Sequence, residues 1–133
     1  MSSTKIYKAT LDNFMSFHHG KVYKKEQVYT PAQLLSITPN DVLRWMNFRC
    51  FGTPDPPSDA NPTLARSNTL KFWKKALSSF MPNRLMEWSR TREEGNPTRS
   101  IEINDLIKLV KKKEVRRQGA ASKTRQPMKE ADF

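Results

Sequence analysis

The stretch "SNTLKFWKKALSSFMP", residues 67–82, separates apolar from polar side chains with the period of a helix, not that of a strand. At about 100° per residue, Leu70, Trp73, Leu77 and Phe80 fall on one side, with Phe72, Ala76 and Met81 flanking them. Ser67 or Asn68 is the expected cap, and Pro82 closes the helix. Asn68, Lys71, Lys75 and Ser78 line the other side. These residue types contact phosphate oxygens and base edges, although the solvated face of a bundle carries lysines as well.

Working outward, the same pattern recurs. Thr30-Pro31-Ala32-Gln33 and Thr38-Pro39-Asn40-Asp41 each have the form of a capping box with proline at the first helical position. The second should open a helix from Pro39 to Phe51 that stops at Gly52, with Val42, Trp45, Met46 and Cys50 as its buried stripe. The proline-rich segment "TPDPPSDANPT", residues 53–63, is expected to be a loop. Residues 83–100 read as a polar connection around Trp88. Ser100 then caps a last helix from Ile101 to about Gln118, with Gly119 as its stop. Ile103, Leu106, Ile107 and Val110 are its core stripe, and Lys108, Lys112 and Arg116 line the opposite face.

Toward the N-terminus the signal is sparser. Leu11, Phe14, Met15 and His18 share one face of a short helix candidate, and Val22–Val28 has strand-like ends around a Lys-Lys-Glu-Gln interior. His18-His19 has no further histidine to complete a metal site, and Cys50 is the sole cysteine, which excludes a disulfide within the chain and a cysteine-based zinc site. No metal or cofactor is therefore expected.

The chain has 133 residues, of which 36 % are hydrophobic and four are glycine. This suits one modest all-α core, a four- to five-helix bundle with flexible tails. The expected division is a basic arm over 1–34, a helical domain over 35–118 and a basic linker over 119–133. Lys and Arg number 24 against 13 acids, a formal charge of +11. Such an excess in a small domain points first to nucleic acid. No segment approaches about 18 apolar residues, and the N-terminus lacks a signal-peptide core, so nucleus or cytosol is the expected location and no membrane partner is expected. The run "KKKEVRR" also fits a nuclear import signal, a pattern basic stretches match easily.

The order of parts resembles a known family. A helical domain is followed by "SNTL" opening a long amphipathic helix, "NPTRS" before a basic last helix, and a Lys/Arg linker running into "RQPMKEADF". This is similar to the amino-terminal core-binding domain of tyrosine recombinases, the phage Cre and integrase type. Gln126–Phe133 looks like the opening of that family's catalytic domain, with Lys129 where threonine is usual. The phrases "FMPNR" and "GNPTRS" look most like recombinase-like proteins of eukaryotic mobile elements, the Crypton-like group. The likeness covers about residues 35–133.

The resemblance implies half of a clamp around double-stranded DNA. Carried onto this chain, the contacting residues are Arg66, Ser67, Asn68, Lys71 and Lys75, then Lys108, Lys111, Lys112 and Arg116. The family's tyrosine nucleophile and Arg/His/Lys set belong to its catalytic domain. Tyr7, Tyr23 and Tyr29 lie in the N-terminal region, outside that context. The expectation is thus DNA binding without strand cleavage, with any oligomer forming on DNA only beside a catalytic domain. The alternatives are a basic domain docking an acidic protein and an RNA-binding module.

Overall fold

The computed structural model describes the backbone of residues 3–125 and the side chains of residues 5–115. The chain is all-α, with helices α1 (Ser3–His19), α2 (Pro31–Leu35), α3 (Pro39–Phe51), α4 (Ser67–Ser78) and α5 (Ile101–Arg125). Among the described residues, β pairing is confined to two isolated bridges, Glu87 with Asn96 and Ser89 with Glu94. Val22 and Val28 are almost fully exposed and form no strand.

Both capping boxes form as their sequences predict. The Gln33 N–H donates to the Thr30 hydroxyl at 3.1 Å, while the Thr30 N–H donates to the Gln33 side chain at 2.8 Å. Thr38 and Asp41 repeat the exchange at 3.2 and 3.0 Å. Each pair satisfies two amides that a helix start otherwise leaves open. Gly52 ends α3 in the left-handed region at φ 84°, a conformation that side chains disfavour.

The four longer helices close into a ring in which α1 packs on α3 and α4, and α5 packs on the same two from the other side. Trp45 joins three of them. Its ring meets Phe14 of α1 edge-on at 5.6 Å and Trp73 of α4 at 5.1 Å, and its indole N–H donates to Asn13 at 3.0 Å. The predicted stripes of α3, α4 and α5 are buried, with Val42, Trp45, Met46 and Cys50, then Leu70, Trp73 and Leu77, then Ile103, Leu106, Ile107 and Val110, whereas Phe80 is only partly buried. Burial pushes the Cys50 thiol up to about 11, so it behaves as a small core hydrophobe.

Four boundaries differ from the sequence reading. First, residues 1–34 are not a separate arm: α1 begins at Ser3 and buries Leu11, Phe14 and Met15 in the common core. The segment after it is tied back onto α1. Asp12 accepts from Lys8 at 2.9 Å and from the Tyr29 hydroxyl at 2.7 Å, and Lys8 also donates to the Lys25 carbonyl at 3.0 Å. Burial, followed by the Asp12 hydrogen bond, pushes the Tyr29 phenol above its ordinary pKa. Second, α4 is capped by Arg66 without a side-chain bond and ends at Ser78, before Phe80 and Met81.

Third, α5 continues through Gly119 to Arg125. A glycine costs about 1 kcal/mol inside a helix and does not by itself end one. Ser100 precedes α5 as expected and its carbonyl accepts from the Asn104 N–H at 3.2 Å, while its hydroxyl donates to the Pro97 carbonyl. Residues 126–133, including the family-like "QPMKEADF", lie outside the described residues.

Fourth, residues 83–100 are a built loop. Asn96 is fully buried and organises it. Its amide donates to the Ser78 hydroxyl at 2.8 Å and the Arg84 carbonyl at 2.9 Å, and its carbonyl accepts from the Thr98 N–H and hydroxyl at 3.0 and 2.7 Å. Gly95, at φ 117°, passes so close that a Cβ would stand 2.5 Å from the Glu87 carbonyl oxygen. Gly95→Ala is expected to cost about 1–3 kcal/mol from backbone strain, with further loss from the clash. A denaturant midpoint equal to the parent's would contradict this packing.

Candidate nucleic-acid interface

Helices α4 and α5 run antiparallel, and two contacts set their register. Near the start of α4, the Glu114 carboxylate accepts from the Ser67 N–H at 2.6 Å and its hydroxyl at 2.9 Å. Seven residues on, Lys74 donates to Asn104 at 2.7 Å. The turns between these anchors lie side by side. Helical phase then places Asn68, Lys71 and Lys75 on the outer face of α4, and Lys108, Lys111 and Lys112 on the outer face of α5. All six are exposed. The two basic rows, read separately from the sequence, form one surface.

Among the described residues, that surface is not internally neutralised. The ion pairs among the described residues use Lys8, His18, Arg44, Arg90 and Arg92 as cations, and none involves Lys71, Lys75, Lys108, Lys111 or Lys112. Helix α4 contains three lysines and no acid. Charges held on one side of a rigid pair repel one another, and an external polyanion relieves that repulsion.

Not every expected contact residue reaches this face. Ser67 is buried and spends both donors on Glu114, so it leaves the set. Arg66 is exposed at the start of α4. The Arg116 side chain lies outside the described residues. Lys113 points elsewhere: its ammonium donates to the Ser58 carbonyl at 3.4 Å and to the Ala60 carbonyl, fastening the proline loop to α5.

Two cations that sequence reading passed over belong here. Lys74 sits one position off the outer row, on the α5 side of α4, and Arg99 precedes α5 within the built loop. Partial burial, followed by the Arg99 charge, lowers the Lys74 pKa from its ordinary value. The phase of Lys74 is legible in sequence, but its proximity to Arg99 depends on the folding of 83–100.

Glu114 is the joint of the interface. Hydrogen bonds to a charged group contribute about 1.5–3 kcal/mol, so Glu114→Ala is expected to cost about that much. The loss should appear as a lower denaturant midpoint at unchanged m-value.

Compared with known protein families, curated proteins and solved structures, the chain matches none of them. Among the described residues there is no group of three or more His, Cys, Asp or Glu side chains able to hold a metal ion, and no helix long and apolar enough to cross a membrane. The three tyrosines sit around α1: Tyr29 donates to Asp12, Tyr23 contacts His19 at 2.7 Å, and Tyr7 packs on Phe72.

Proposed function

We propose that this chain is a duplex DNA-binding module that works without cutting its target, using the α4–α5 face as its contact surface. The observation that carries the reading is the joined set of exposed cations Lys71, Lys75, Lys108, Lys111 and Lys112, none of them in an ion pair among the described residues. The resemblance to the core-binding half of a tyrosine recombinase supports the same partner and surface, and the compartment proposed is the nucleus or cytosol. Asn68, held at the edge of the cationic face, is the residue suited to a base edge, because an amide can both donate and accept.

The test is a duplex titration across a salt series. Five neutralised phosphates predict a log–log slope of about −4.5, or roughly a 500-fold fall in affinity between 50 and 200 mM salt. A flat salt response would overturn the reading. Tight binding confined to an acidic protein would favour the alternative, and preference for single-stranded RNA over duplex DNA would favour an RNA module.

A further inference from the structure

Beside the basic face, α4, the start of α5 and the built loop enclose a groove of about 510 Å3, within the range of small-ligand clefts. Its lining includes Lys71, Lys74, Lys75 and Arg99, against one carboxylate, Glu87. None of the four cations takes part in an ion pair among the described residues. The same groove holds Trp88, which is half-buried. The other two of the three tryptophans, Trp45 and Trp73, are in the core. Core packing therefore accounts for two indoles and not for the third.

The loop fixes this arrangement through its backbone. The Trp88 N–H donates to the Arg99 carbonyl at 3.3 Å, and the Arg99 N–H donates to the Asn96 carbonyl at 2.9 Å. Both side chains are thereby left available to the groove. An aromatic face beside clustered lysine and arginine is the combination that receives an unpaired base together with its phosphate.

We infer that the groove between α4, the start of α5 and the 83–100 loop is a nucleotide pocket, in which Trp88 stacks on one unpaired base while Lys74 and Arg99 hold its phosphate. It lies next to the duplex-binding face, and it rests on that reading only for the source of the nucleotide. An overhanging or displaced strand end carries the required chemistry, and so does a free mononucleotide. Phosphate selectivity follows from the four cations, and tolerance for different bases follows from stacking, because every base has a π-face.

The test uses the full chain with deoxyadenosine monophosphate and deoxyadenosine, read by calorimetry and by indole fluorescence. The monophosphate should bind at least 10-fold more tightly than the nucleoside and quench Trp88. Lys74→Gln with Arg99→Gln should weaken it at least 5-fold, and Trp88→Leu should abolish the quenching. Arg99→Gln leaves the backbone bonds of the loop intact and is also tested alone, with at least a 2-fold loss expected, because Lys74 additionally donates to Asn104 between α4 and α5. Stronger competition by a duplex with a 5′-phosphorylated overhang than by its blunt counterpart, whose binding face shares Lys71 and Lys75 with the groove, would assign the pocket to strand ends. Equal competition by the two would assign it to a free nucleotide. Equal affinity for nucleoside and monophosphate, or unchanged binding by the double variant, would overturn the pocket. A chain that binds the monophosphate but no duplex overturns only the duplex reading; the reverse overturns only the pocket.

Discussion

Trp45→Ala is expected to lower the unfolding free energy by about 3–5 kcal/mol, the range for truncating a buried large aromatic residue. Trp45 is 1 % exposed and touches α1 through Phe14 and Asn13 and α4 through Trp73. Its removal opens a cavity where three helices meet and loses the hydrogen bond to Asn13. A domain of this size has only about 5–15 kcal/mol in total, so the variant should melt more than about 10 °C below the parent. Trp88→Ala is the control: that side chain is half-buried in a loop, and its loss should cost far less. Similar melting points for the parent and Trp45→Ala would mean that the three helices do not share this residue.

The second large effect concerns the basic surface. Changing Lys108, Lys111 and Lys112 together to Gln should leave α5 intact, because glutamine and lysine have similar helix propensities. If each lysine neutralises one phosphate, the salt slope should flatten by about 2.7 units. Affinity should then change only about 12-fold between 50 and 200 mM salt, against roughly 500-fold for the parent. The loss should be similar on every duplex sequence, since phosphate contacts position a protein without reading bases. Full affinity in this variant, with loss in Lys71→Gln/Lys75→Gln, would confine the contact to α4 and make the α5 row a solvated face.

The helical class, α3 from Pro39 to Phe51 and the buried stripes of three helices were legible in the sequence because each depends on residues within a few positions of one another. A Thr-Pro-x-x capping box needs only its own turn, and a stripe such as Ile103, Leu106, Ile107 and Val110 needs only the helical period. The two lysine rows were legible for the same reason. Their joining was not. It depends on Glu114 reaching Ser67 and on Asn104 meeting Lys74, contacts 47 and 30 residues apart.

Other features were settled by distant partners. Ser67 reads as a free cap or phosphate contact until Glu114 occupies it. Lys113 reads as one more basic residue in a run until two loop carbonyls take its ammonium. Residues 83–100 look like a polar linker because their order comes from one buried amide, Asn96, which binds Ser78, Arg84 and Thr98. The sequence by itself determined which helices form and which of their faces are apolar, since propensity, capping and period act locally. Only the tertiary structure decided that α1 joins the core, that the cations of α4 and α5 share one surface, and that Arg99 and Trp88 meet Lys74. Those outcomes depend on pairings across the chain, whose entropy is offset only when the whole bundle closes.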